Sequence, residues 1–402
     1  MKTYYMFVFL ILTIACNKSD DPSVVPDDST VTQNIDCIGE NGCTEFIVPN
    51  DSYDSNPSFY GYADPSIRKE LNSNTLWLAY SYPHMKVIGE NNVPSVEIHL
   101  AKSSDNGMNW QFVKKLFEPI AINNPANPNQ SGFLDHETLN LLPINKDNEN
   151  FWLAARLNYF IPTVGGFSER PSNSFYITIL KANTPENLTT STEKQLIGGS
   201  LTHSSWNVHQ ILIPPDLNSS YFFWNEPALY YDTNNSKLYL IMVAFVYDGK
   251  TPVIEKHNTY VYATNPTGNP ETWTWEYKGI LVNQAIANEL GAQKVSQTDL
   301  AKGKDGKLLL IASPVDWVVA ENDYNNKGCK VIEVKSLEVP ELERDSKGKL
   351  RIRTSITASD ANNLGSGASA YDPNSETGIL FTKRQKTTAQ LIAKIHKTGA
   401  KP

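Results

Sequence analysis

The chain is short of positive charge, of paired cysteines and of helical pattern, and each shortage removes a class of function. Lys and Arg total 35 against 43 Asp and Glu, a net charge of −8 at pH 7. Nucleic-acid binding draws on clustered Lys and Arg, and no such cluster occurs, so a nucleic-acid partner is not expected. The four cysteines include no C-x-x-C pair, and no H-E-x-x-H or EF-hand loop is present. No dedicated metal centre is therefore expected. Glycine loops of the Rossmann or P-loop kind are also missing, which argues against a nucleotide cofactor. One apolar run stands at the N-terminus, from Tyr4 to Ile14, about eleven residues. That is too short to cross a bilayer as a helix.

The same run, after the basic start Met1-Lys2, reads as the core of a signal peptide. It ends in Leu12-Thr13-Ile14-Ala15-Cys16, which resembles the bacterial lipobox, whose cysteine is acylated and becomes the first mature residue. Asn17-Lys18-Ser19-Asp20-Asp21 resembles the export signal of Bacteroidota surface lipoproteins. The resemblance implies a lipid anchor on Cys16, placement on the outer membrane facing outward, and membrane contact through that anchor alone. Residues 1–15 are then the leader, and residues 16–34 are a tether rich in Pro, Ser, Asp, Thr and Asn. A single folded unit follows over residues 35–402. Cys37 and Cys43 bracket a short Gly/Asn stretch and could close a small disulfide loop in an oxidising compartment. Cys329 has no evident partner and reads as a buried thiol.

Beyond the tether the sequence shows short runs of Tyr, Leu, Ile, Val and Trp broken by Asn, Asp, Gly and Pro, the pattern of strands and turns. These runs repeat. An acidic residue leads a short strand, a polar turn follows, and a strand of large hydrophobics comes next. The pattern occurs at Asp64-Pro65-Ser66-Ile67 before Leu76-Trp77-Leu78-Ala79, and at Glu137-Thr138-Leu139 before Phe151-Trp152-Leu153. It returns at Glu226-Pro227-Ala228-Leu229 before Leu238-Tyr239-Leu240, and at Asp299-Leu300-Ala301 before Leu308-Leu309-Leu310. A fifth copy, without the acid, is Gly367-Ala368-Ser369-Ala370-Tyr371 before Ile379-Leu380-Phe381. Further strands follow most leads, as in Val96-Glu97-Ile98-His99-Leu100. Four antiparallel strands per unit, repeated round an axis, predict an all-β fold: a five-bladed β-propeller. The last unit runs one strand short, and Thr44-Glu45-Phe46-Ile47-Val48 is expected to close it, removing an exposed sheet edge.

Ser103-Ser104-Asp105-Asn106-Gly107-Met108-Asn109-Trp110 resembles the Asp box of sialidase-like propellers, a structural motif. Ala63-Asp64-Pro65 and Asn225-Glu226-Pro227 are similar to the blade-one base and blade-three acid motifs of the five-bladed glycoside hydrolases of families 43, 32 and 117. The second-blade motif of those families is absent, and Leu134-Asp135-His136-Glu137 stands in its place. The blade-one arginine of sialidases is also absent, since Tyr62-Ala63-Asp64-Pro65 occupies that strand. The resemblance implies an oligosaccharide or polysaccharide substrate and an axial pocket lined by Asp64, Glu137, Glu226 and Asp299.

Three functions fit these residues. Hydrolysis needs one carboxyl with a raised pKa and a second acting as base or nucleophile, here Glu226 and Asp64, with Glu137 or Asp135 as modulator. Trp206 and Trp224 would stack on sugar rings. Elimination beside a uronate, as on ulvan-type algal glycans, needs a base and a group stabilising an enolate-like intermediate. His203 and His209, close together beside Trp206, are the candidates for that base, with His136, Arg156 and Arg170 as substrate contacts. The third function is glycan binding without turnover. No cofactor is required, although the lead acids offer oxygen ligands of the kind Ca²⁺ takes.

Overall fold

The computed structural model describes residues 33–37, 43–52, 58–88, 91–249, 251–318, 323–357, 363–386 and 391–402. The leader, Cys16 and all but the last residues of the tether lie outside the described residues.

The strand-and-turn pattern folds into five main sheets. The first holds Ala63–Lys69, Leu76–Ile88, Asn91–Ser103 and Gln111–Phe117. The second is built round Asn127–Lys146, Glu149–Pro162, Tyr176–Ala182 and Lys194–Gly198. The third runs through Tyr221–Asp232, Lys237–Asp248, Thr259–Thr264 and Glu276–Val282. The fourth contains Lys294–Lys302, Leu308–Val318, Cys329–Ser336 and Ile352–Thr357. The hairpins follow from local chemistry. Asp147 (φ 55°) and Asn148 (φ 66°) both take the left-handed backbone that a two-residue type I′ turn requires.

The first strand of each sheet packs on the first strand of the next, and that of the fifth packs on that of the first. The inner strands therefore ring a common axis, and the expected all-β propeller class holds. The regular blade drawn from one continuous stretch occurs four times rather than five. The fifth sheet is composite: Asn363–Ala370, Leu380–Lys386 and Leu391–Lys397 are completed by Thr44–Glu45, antiparallel, and by Phe59–Gly61, parallel. The N-terminal residues Gln33–Asp36 add a parallel strand to the fourth sheet beside Ile352–Thr357. One polypeptide end thus fastens two neighbouring sheets.

Between the blades lie apolar layers. Leu153, Ile177 and Ile179 of the second sheet belong to one buried cluster with Phe222, Trp224 and Tyr260 of the third. Cys37 and Cys43 form a disulfide, and Cys329 is a buried free thiol. In the hairpin at 103–110, Asp105 accepts the Asn109 amide at 2.9 Å and Ser103 Oγ accepts the Gly107 amide at 2.9 Å. Trp110 closes that turn by donating to the Gly107 carbonyl at 3.0 Å.

Candidate active site

Each inner strand carries a β-bulge at a corresponding level, where one extra residue faces its neighbouring strand. The bulges fall between Ala63 and Ser66, Glu137 and Leu139, Asn225 and Ala228, Val295 and Gln297, and Gly367 and Ser369. A bulge breaks the pleat and re-aims a side chain, here at the same height in every blade. In three of them a non-glycine residue takes left-handed backbone: Asp64 (φ 48°), Thr138 (φ 51°) and Glu226 (φ 45°). Such conformations cost on the order of 1–3 kcal/mol each and concentrate where function needs them.

The bulges bring Asp64, Glu137 and Glu226 into one electrostatic neighbourhood, and all three are only partly buried. Burial and the negative charge of Glu137 raise the Asp64 pKa to about 7, against the Ser81 and Thr138 hydroxyls and the charge of Arg384. The Asp64 backbone amide donates to Thr382 Oγ1 at 3.2 Å, fixing the bulge against the fifth sheet. Burial, then the charges of Asp64 and Glu137, push the Glu226 carboxyl well above its ordinary range, while Lys294 and Arg384 pull the other way. Glu226 Oε2 is sealed from solvent and has no hydrogen-bond partner among the described residues. A buried lone oxygen of this kind favours the protonated acid.

Tyr159 stands beside Glu137. Burial and the charges of Glu137 and Asp135 hold its hydroxyl well above the usual tyrosine range, so it stays neutral. Arg170 lies near that wall, its guanidinium 3.8 Å from the Phe167 ring centre and 5.2 Å from that of Tyr159. Lys294, whose charge acts on Glu226, is 1% exposed and donates to His257 Nδ1 at 3.1 Å.

Several expected site residues are placed elsewhere. Asp299 follows its bulge by three residues, so it points one level below the acids, where it pairs with Arg68 and accepts from Asn140 Nδ2 at 2.8 Å. Asp135 is fully buried and ties the second blade to the first, accepting from Ser95 Oγ at 2.9 Å and from the Val96 amide at 2.8 Å. His136 and Arg156 are buried at the blade interface, His136 against Asn158 at 3.1 Å and Arg156 over the Phe117 ring at 3.9 Å. Trp224 is packed among Phe222, Tyr260 and Tyr262, and Trp206 is buried against Tyr176, so neither offers a face to a sugar.

The histidine pair also leaves the site. His209 lies on the outermost strand of the second sheet, three strands beyond the one that follows the inner strand. At about 4.8 Å per strand that sets it well away from the axis. His203 is exposed and caps a short 3-10 turn, accepting the Ser205 amide at 3.1 Å. Seven histidines are few and these two fall together in the sequence, but closeness along the chain says nothing about distance from the axis. Lys294, His257, Tyr159 and Arg384 carry no repeat signal as isolated residues, so nothing along the sequence marks them. Among the described residues, no group of three or more His, Cys, Asp and Glu side chains is arranged to hold a metal ion.

Fold and site together define the class: an all-β propeller with carboxyl groups gathered on its axis. No family model matches the chain, and no curated protein matches it by sequence. Among solved structures it is similar to the family 32 β-fructofuranosidase of Bombyx mori, at 11% identity and a TM-score of 0.44, covering 85% of this chain and 61% of that one. It is similar to a family 43 glycoside hydrolase of Bacillus licheniformis, at 13% identity and a TM-score of 0.44, covering 84% and 71%. It is also similar to the sialidase of Trypanosoma rangeli, at 10% identity and a TM-score of 0.37, covering 91% and 60%. The chain thus spans about three fifths of the Bombyx enzyme.

Proposed function

We propose that the protein hydrolyses glycosidic bonds in oligosaccharides derived from polysaccharide, with Glu226 as general acid and Asp64 as general base. The observation that carries this reading is the sealed, unpartnered Glu226 Oε2 beside two further carboxyl groups. Glu226 gives its proton to the leaving oxygen as the carbon–oxygen bond breaks, and Asp64 takes a proton from the water that adds to the anomeric carbon. Glu137 acts through its charge, raising the proton affinity of both partners. Elimination is less well supported, because the two histidines that would serve as base cap a turn and edge an outer strand. The lipobox-like start supports a site of action on the outer membrane, with Cys16 as the anchor.

Release of new reducing ends from a panel of neutral and acidic polysaccharide digests tests the assignment. Glu226→Gln is expected to lower turnover by about 10²–10⁴-fold, at unchanged melting temperature. The double variant His203→Ala/His209→Ala is expected to keep turnover within about twofold. An unsaturated uronate product that vanishes in the histidine variant would replace hydrolysis with elimination, and retention with no product from any digest would leave a binding protein.

A further inference from the structure

The axial site is crossed on one side. Arg68, Asn140 and Asp299 meet a few residues further along the inner strands than the bulges, and all three are buried. A substrate therefore reaches Asp64, Glu137 and Glu226 from the other side, where the inner strands begin. Aromatic rings stand at that end. In the second sheet Phe133 precedes Glu137 on the inner strand. Glu137 faces Leu157, Asp135 faces Tyr159 and Phe133 faces Ile161 across the hairpin. Tyr159 is thus the diagonal neighbour of both Glu137 and Phe133 on one face. In the third sheet Phe223 precedes Glu226 on the inner strand and stacks on Phe175, 4.2 Å between ring centres.

Two cations lie on these rings. The guanidinium of Arg170 is 3.8 Å from the Phe167 ring centre, 5.2 Å from that of Tyr159 and 5.6 Å from that of Phe175. Lys86 comes from the long hairpin of the first sheet, with Nζ 5.2 Å from the Phe133 ring centre, and it donates to the Pro119 carbonyl at 3.4 Å. Both side chains are half-buried, and neither has a carboxylate within 4 Å among the described residues. Cations that served only to offset the three acids would pair with them, and these two stand nearer the mouth and pair with none. Ring contact fixes the plane of a guanidinium while leaving the N–H groups at its edge free to donate. That planar fork matches an oxyanion, which it can bond through two parallel hydrogen bonds.

We propose that the substrate is an acidic oligosaccharide, whose carboxylate or sulfate group is held by Arg170, with Lys86 beside it, at the mouth of the axial pocket. The inference rests on the hydrolysis proposed for Glu226 and Asp64 and names its substrate class. A neutral sugar has no use for unpaired cations at this place. An anionic one does, because a chain of net charge −8 with three acids on its axis repels it unless a local cation offsets that field. Arg170 then sets which sugar chains enter and how they lie, and takes no part in the proton transfers.

The test uses matched substrates on the full chain. One pair is a uronate-containing oligosaccharide digest before and after reduction of its carboxyl groups to alcohols, and the other is a sulfated digest before and after desulfation. Wild type is expected to cleave an acidic digest with kcat/KM about tenfold or more above its neutral counterpart. Which pair shows the difference tells carboxylate from sulfate. Arg170→Gln is expected to lower kcat/KM on the acidic digest by about 10–100-fold, mostly through KM, and to leave the neutral one within about twofold. Arg170→Lys, which keeps the charge without the fork, is expected to recover part of the loss. Lys86→Gln is expected to raise KM on the acidic digest alone by a smaller factor, and it carries the test if Arg170→Gln does not fold. Equal cleavage of acidic and neutral partners by wild type, or an equal loss on both in the variants, overturns the inference. If no digest is cleaved, the proposed hydrolysis fails separately, and calorimetric titration of the same pairs decides. Tighter binding of an acidic digest that is lost in Arg170→Gln then supports the anion site, and no preference for either acidic digest overturns it.

Discussion

At the scale of single residues, the site is a set of carboxyl groups held at different proton affinities by their surroundings. Asp64 must be ionised to act as base, and burial with Glu137 places it near neutrality at about 7. Glu226 must be protonated to act as acid, and its affinity lies well above the ordinary range. The kcat/KM profile is therefore expected to rise as pH climbs through about 7 and to fall on the alkaline side, where Glu226 loses its proton. Arg384 favours the Asp64 carboxylate, so Arg384→Met is expected to move the rising limb to higher pH. A rising limb that stays in place in that variant would remove Asp64 from the role of base. Part of this was legible in the sequence, because Asp64-Pro65 and Glu226-Pro227 stand at repeating positions. Lys294 was not, since nothing along the chain distinguishes a lysine at a strand start from a solvated one. Its place among Phe245, His257 and Tyr324 arises only when residues far apart in sequence meet.

At the scale of the element, the bulge decides which lead residue reaches the axis. Asp299 matches the repeated pattern of acid, short strand and turn, yet the bulge of its strand admits Ser296 and leaves the acid three residues further on. There it serves a polar layer that crosses the channel below the acids. Arg68 of the first sheet bonds Asp299 of the fourth at 3.1 Å, and it reaches the Leu300 carbonyl at 2.9 Å and that of Tyr371, in the fifth unit, at 3.5 Å. Asn140 of the second sheet donates to Asp299 and accepts the Leu229 amide of the third at 3.0 Å. All five units are thereby linked at one level. Strand pattern and repeat length were readable because alternating burial imposes them. Bulge register was not, because one extra residue leaves the composition of a strand almost unchanged. Replacing Asp299 by Ala leaves Arg68 buried without its counter-charge, which is expected to cost about 3–5 kcal/mol. Chemical denaturation would show this as a lower midpoint at similar slope. A loss below about 1 kcal/mol would mean that the layer fills space without holding the ring.

At the scale of the whole molecule, the N-terminal segment works as a strap across the closure. Gln33–Asp36 pairs with the fourth sheet, Thr44–Glu45 with the fifth, and the Phe46 amide donates to the Ile395 carbonyl at 2.8 Å. Phe46 then packs edge-on to Trp110 of the first sheet, 5.7 Å between ring centres. Asp51 ends this path in a buried network, bonded by the Tyr80 hydroxyl and by His99 Nδ1 at 2.7 Å, while His99 Nε2 meets Glu97 at 3.1 Å. Burial opposes charge on His99, but its bonds to Asp51 and Glu97 prevail and raise its affinity for a proton. Burial likewise opposes charge on Glu97, but its bonds to His84 and His99 prevail and hold it well below the ordinary range. The two linkages have opposite signs. The His99 contribution is complete below the unfolded value of about 6.5 and is lost as pH rises through the folded value, whereas that of Glu97 is complete above about 4.5 and is lost as pH falls. The strap is therefore expected to be tightest between about pH 4.5 and 6.5. Asp51→Asn removes the carboxylate that charged His99 faces, so the melting temperature of wild type is expected to exceed that of the variant most in this window. The gap should narrow as pH rises above it, because neutral His99 gains little from either acid. A gap that stayed constant from pH 5 to 9 would show that Asp51 fastens the strap through its tyrosine contacts alone, with no part for the charge on His99.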